Sequence, residues 1–249
     1  MPIPLNSLSP TPLRLGVLTP SSNTALEPLT SAIVATLPGV SAHFARFKVT
    51  EIALAPQALG QFDDRHILAA ADLLADAKVD VIGWSGTAAG WMGFDKDALL
   101  VERIRERTGI PATTAVLALN ELLALRSIQR MSIVSPYTAD VQQRIIANYR
   151  HAGIEVVSHT HENIRANHAF ADIPPQLLLE RMDQVRQAQP EAIVTYCTNL
   201  HAAQLASQVE SAWQIPLLDT VSTTVWGMLR AVGADPARIT GWGRLYGWA

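Results

Sequence analysis

Short apolar runs alternate with helical stripes along most of the chain. LRLGVLTP, over Leu13–Pro20, is apolar and bounded by Pro20, as a strand would be. Leu26, Leu29, Ile33 and Leu37 then recur at steps of three and four, which puts them on one helix face. A second strand is expected around Ala42–Val49 and a helix from Asp63 to Ala77. VDVIGWSG, over Val79–Gly86, reads as a third strand, apolar enough to be buried on both faces. Asp95 or Asp97 is expected to cap a helix running to Thr108, with Leu100 and Ile104 facing inward and Gly109 ending it. The alternation continues with strand Arg130–Pro136, helix Ala139–His151, strand Ile154–His159, helix Pro175–Ala188 and strand Glu191–Cys197. A last helix is expected near Val225–Val232. Such alternation predicts an α/β fold with parallel sheets flanked by helices.

A faint internal repeat refines the expectation. Arg14–Pro20 resembles Arg130–Pro136, Asp80–Thr87 lines up with Glu191–Thr198, and Gly109-Ile-Pro111 matches Gln214-Ile-Pro216. The matches come in the same order in both parts of the chain. They predict two pseudo-symmetric halves, each a short parallel sheet flanked by helices. The first half takes residues 1–118 and 222–249, because the final helix is expected to return to it; the second takes residues 119–221. In parallel sheets, ligands sit beyond the carboxyl ends of the strands. Four strand ends should therefore converge: Pro20–Asn23, Gly86–Ala88, Pro136–Tyr137 and Cys197–Asn199. They are rich in Ser, Thr, Asn and Tyr, and their small residues let backbone N–H groups reach an anion.

Composition removes several function classes. Of 249 residues, 49% are hydrophobic and 16% charged, which excludes a disordered chain. Nineteen basic residues face 22 acidic ones, for a net charge of −3, so neither nucleic acid nor a membrane surface is an expected partner. A single cysteine excludes a disulfide framework and a cysteine-rich zinc site. The opening MPIPLNSLSP lacks the pattern of a signal peptide, and no apolar run of about 18 residues is present to span a bilayer. A soluble cytoplasmic protein is expected. His159 and His161 have a metal-like spacing without further ligands nearby, and no phosphate-binding glycine motif occurs. No metal or cofactor is expected. His168 and His201 are side chains that titrate near neutrality. Trp84 and Trp91 flank the Gly86 turn and are candidate cavity walls. The abundance of tryptophan would also suit an interface between copies of the chain.

The turns together carry a resemblance. Pro20-Ser21-Ser22-Asn23-Thr24, Gly86-Thr87, Ser135-Pro136-Tyr137-Thr138, Asn167 ahead of Ile173-Pro174-Pro175, Cys197-Thr198-Asn199 and the tail Gly241-Trp242-Gly243-Arg244-Leu245 resemble the aspartate/glutamate racemase superfamily. Within it the chain is similar to the branch of maleate cis-trans isomerases and arylmalonate decarboxylases. Racemases of this superfamily place one cysteine in each half, on opposite faces of the substrate. Here Cys197 has Gly86 as its repeat mate, and the chain has no other cysteine. That pattern resembles the decarboxylases, in which the second cysteine donates a proton. Asn23 and Asn167, however, match positions at which maleate isomerases hold a substrate carboxylate. Ala88 stands where the decarboxylase has a hydroxyl residue.

The resemblance implies a cofactor-independent enzyme acting on a small carboxylate or dicarboxylate. Cys197 and Tyr137 are the expected catalytic residues, and Pro20, Ser22, Asn23, Gly86, Thr87, Ala88, Asn167 and Thr198 the expected substrate contacts. In the decarboxylase reading the Thr87 and Thr198 turns and the Tyr137 hydroxyl stabilise an enediolate, and Cys197 protonates it from one face. The alternatives are cis-trans isomerisation of a maleate-like diacid and non-catalytic binding of a small carboxylate. Glycine at 86 is expected to leave room for a second thiol. Each residue also has a plainer role: Cys197 as a buried core residue, Tyr137 as a packing aromatic, the asparagines as helix caps.

Overall fold

The structure, a computed structural model, describes residues 12–248; the opening MPIPLNSLSP lies outside the described residues. Two four-stranded sheets carry the fold. The first contains β1 (Leu13–Pro20), β2 (Val40–Phe47), β3 (Val81–Trp84) and β4 (Ala112–Thr114), in the order β2-β1-β3-β4. The second contains β5 (Arg130–Ser135), β6 (Glu155–His161), β7 (Ala192–Thr195) and β8 (Leu217–Asp219), in the order β6-β5-β7-β8. Every pairing is parallel.

The sequence repeat is reproduced in the register. Leu15 pairs with Val81 as Met131 pairs with Ala192, and Ile82 pairs with Ala112 as Ile193 pairs with Leu217. The central strands β3 and β7 are buried along their whole length, as strands covered on both faces must be.

Helices connect the strands. Asp63 caps Asp64–Asp76 by accepting from the Arg65 N–H at 2.9 Å, and Gly109 ends Phe94–Thr108 in the left-handed region at φ 70°. Asp97 does not cap that helix. It lies in the first turn on the same inward stripe as Leu100 and Ile104, is buried, and accepts from Thr114 Oγ1 at 2.5 Å. The closing helix spans Thr220–Ala231, earlier than expected, because Asp219 caps it through the N–H groups of Val221 and Ser222. It packs on β3, β4 and the helices Leu26–Val34 and Ala115–Leu125, so the chain crosses back onto the first sheet.

The loops after β2 and β6 join the two sheets. Ile52 N–H donates to Arg165 O at 2.9 Å, and Asn167 N–H donates to Thr50 O at 3.0 Å. Among the described residues no helix is long and apolar enough to cross a membrane.

Candidate active site

Each half reaches across to the other at the strand ends. In the turn after β1, Asn23 Oδ1 accepts from the Ala25 and Leu26 N–H groups at 3.0 and 2.9 Å, opening the helix Leu26–Val34. Its Nδ2 donates to Thr198 Oγ1 at 3.3 Å, and that hydroxyl donates to Ser85 O at 3.1 Å. On the opposite side Tyr137, after β5, shares a 2.6 Å hydrogen bond with Thr87 Oγ1. The two threonines that the repeat aligns thus each meet a side chain from the first-strand turn of the other half.

Asn199 ties this arrangement together. Its Oδ1 accepts from the Thr24 and Ala25 N–H groups at 3.0 and 3.1 Å, and its Nδ2 donates to Asn167 O at 2.6 Å. Its own N–H donates to Cys197 Sγ at 3.3 Å. Asn167 Nδ2 donates to Ser22 Oγ at 2.8 Å, and Ser22 Oγ donates to Val49 O at 2.6 Å.

A narrow cleft lies between the halves. Pro20, Gly86, Thr87, Ala88, Tyr137, Asn167, Cys197 and Thr198 line it, as the strand-end rule requires. Asn23 and Ser22 do not. Their polar atoms are engaged with the helix start, Thr198, Val49 and Asn167, so they stand behind the lining. Val49, Ile52, Phe62, Trp84 and Trp91 complete the wall. Nothing in the sequence singled out Val49, Ile52 and Phe62, because apolar loop residues carry no chemical signal. His159, His161, His168 and His201 are not in the lining.

Burial sets the protonation states. Cys197 is 2% exposed, and desolvation pushes its thiol up to about 12. Hydrogen bonds from Tyr137 and the Asn199 N–H pull the other way, and the Asp219 carboxylate adds to the rise. Desolvation first, and then the charge on Cys197, holds the Tyr137 phenol well above its usual value. Both groups therefore rest uncharged near neutral pH. The backbone N–H groups of Thr87 and Thr198 meet no backbone acceptor among the described residues, which leaves them free for an anion.

The position that the repeat pairs with Cys197, Gly86, is not spacious. A Cβ built on Gly86 would stand 2.1 Å from Trp84 Cζ2 and 2.4 Å from Cε2. The expected room for a second thiol is taken by the indole. Gly86 lies two residues past the end of β3, in the turn over which the Trp84 ring folds.

The model of the arylmalonate decarboxylase family matches residues 27–246. The chain belongs to that family. It is 26% identical over 242 residues to the maleate isomerase of Pseudomonas putida KT2440, covering 90% of this chain and 93% of that one. It is also 26% identical over 170 residues to the arylmalonate decarboxylase of Bordetella bronchiseptica, covering 67% and 70%. A cysteine-to-alanine variant of the maleate isomerase from Pseudomonas putida S16, solved with maleate, superposes with a TM-score of 0.86 at 26% identity, over 95% of this chain and 98% of that one. The chain is an enzyme of the family that contains both kinds of relative.

Proposed function

We propose that the protein is a cofactor-independent decarboxylase of an α-substituted malonate, with Cys197 as the proton donor. One observation carries this reading. The only thiol of the chain is a buried, uncharged acid, and the position that the repeat pairs with it is closed by the Trp84 ring. Such a group protonates a carbanion from one side and is a poor nucleophile, because only the thiolate attacks.

In the proposed step the bond between the α-carbon and one carboxylate breaks. Its electron pair moves into the remaining carboxylate to form an enediolate, and CO2 leaves. The N–H groups of Thr87 and Thr198 and the Tyr137 hydroxyl hold the enediolate oxygens, where negative charge grows. The Cys197 S–H bond then delivers its proton to the α-carbon, and the thiolate takes a proton back from water. The test is turnover of substituted malonates in D2O. One enantiomer carrying one deuterium is expected, and Cys197→Ala should lose about 10²–10⁴-fold in rate. A racemic product, or wild-type turnover by the alanine variant, would overturn the reading.

Isomerisation of a maleate-like diacid is the second reading. Asn167 in the cleft wall and the similarity to maleate isomerases favour it. It requires a nucleophile at the double bond, and a thiol held near 12 supplies little thiolate at neutral pH. Conversion of maleate to fumarate without CO2 release would establish it. Binding of either diacid without turnover would point to a carboxylate-binding protein.

A further inference from the structure

Next to the cleft lies a second small pocket, and Trp84, Phe62 and Ala88 line both. Its far side carries Ile67, Met92 and Leu100 together with Asp64, Lys96 and the buried Asp97. Trp84 is the largest residue of the partition. It is 1% exposed, and its ring is tilted against Phe47 with centroids 5.0 Å apart. On its other side it covers the Gly86 backbone closely enough to exclude a Cβ. The indole thus lies between the Phe47 ring and the Gly86 backbone.

The geometry points to Trp84 as a specificity-determining residue, one that limits the substrate's α-substituent to a small aliphatic group by walling the cleft off from the cavity behind it. This rests on the decarboxylase reading and adds the class of malonate to it. A substituent that reaches the Gly86 side of the cleft meets the indole. A planar ring there would need the volume the indole holds. Ile67, Met92 and Leu100 beyond the partition give a larger substituent apolar contacts only when residue 84 is small, with Asp64, Lys96 and Asp97 at the polar side of the same pocket. Apolar walls discriminate by size in this way, with about 10–200-fold between substrates that differ by one methylene.

The experiment compares methylmalonate with phenylmalonate, by CO2 release and, in parallel, by calorimetric binding. Wild-type protein and Trp84→Phe should favour methylmalonate by at least about tenfold in kcat/KM. Trp84→Ala should shift the preference toward phenylmalonate by at least about tenfold, because the two cavities then join. Adding Leu100→Phe to Trp84→Ala should cancel that shift by refilling the far side. Should Trp84→Ala fail to fold, Trp84→Leu takes its place. Equal use of both malonates by the wild type overturns the inference, as does an unchanged preference in the folded small-residue variant. Binding with the expected size preference but without CO2 release keeps the role of Trp84 and removes the decarboxylase. Binding of neither malonate removes the size assignment.

Discussion

Replacing Gly86 with cysteine would install the thiol that a two-sided racemase needs, and the structure predicts that it fails for a steric reason. The new Cβ would lie 2.1, 2.4 and 2.5 Å from three carbons of the Trp84 ring. Phe47 packs against that ring, and the residue is almost fully buried, so relief requires a shift of packed core. The φ angle at Gly86 is not positive, so the cost is packing and not backbone strain. Overpacking a core costs about 1–3 kcal/mol, and contacts this short place Gly86→Cys toward the upper end. For a chain of this size that corresponds to a fall in Tm of roughly 5–10 °C. Calorimetric melting of Gly86→Cys, Trp84→Ala and the double variant measures it. The cysteine should destabilise the wild-type background and be far less harmful, or neutral, once residue 84 is alanine. Exchange of the α-proton of a single-enantiomer 2-substituted propionate in D2O supplies the functional readout. Neither the wild type nor Gly86→Cys should racemise it, whereas the double variant provides room for the second thiol. A Gly86→Cys protein with unchanged Tm that racemises the acid would refute the placement of Trp84.

Three further outcomes are expected. Tyr137→Phe removes the hydroxyl that meets Thr87 Oγ1 at 2.6 Å; turnover should fall about 10²–10³-fold with a stability loss of only about 1 kcal/mol. Asn199→Ala leaves the Thr24 N–H and Asn167 O without their partner and should cost about 2 kcal/mol in urea unfolding; a loss near zero would show that the two halves are not clamped there. Burial raises the Asp97 carboxyl from 3.8 to about 7, so the folded state keeps a proton that the unfolded chain releases. Stability should therefore decline as pH rises from about 4 through 7, and Asp97→Asn should abolish that decline, worth at most about 4 kcal/mol. Parallel pH profiles of the two proteins would refute the assignment.

Much of the architecture was legible because the repeat and the pattern of apolar residues are local properties. The three sequence matches align the very residues that pair in the two sheets, Leu15 with Val81 and Met131 with Ala192. Strand ends marked by Ser, Thr and Tyr led to most of the cleft wall, including Thr87, Tyr137 and Cys197. Other features depended on the assembled fold. Strands β4 and β8 have three residues each, too few for a period to register. Asp97 could have capped its helix or faced inward, and the position of Thr114 decided it. Asn23 had the chemistry of a substrate contact, but its hydrogen bonds are taken by the next helix and by Thr198 of the other half. The sequence put Trp84 at the end of a strand just before Gly86, but only the folded structure shows the indole, packed on Phe47, lying over the glycine. Period and residue type fix which way a side chain leaves the backbone; the space it fills and the partners it meets are set by residues far away in sequence.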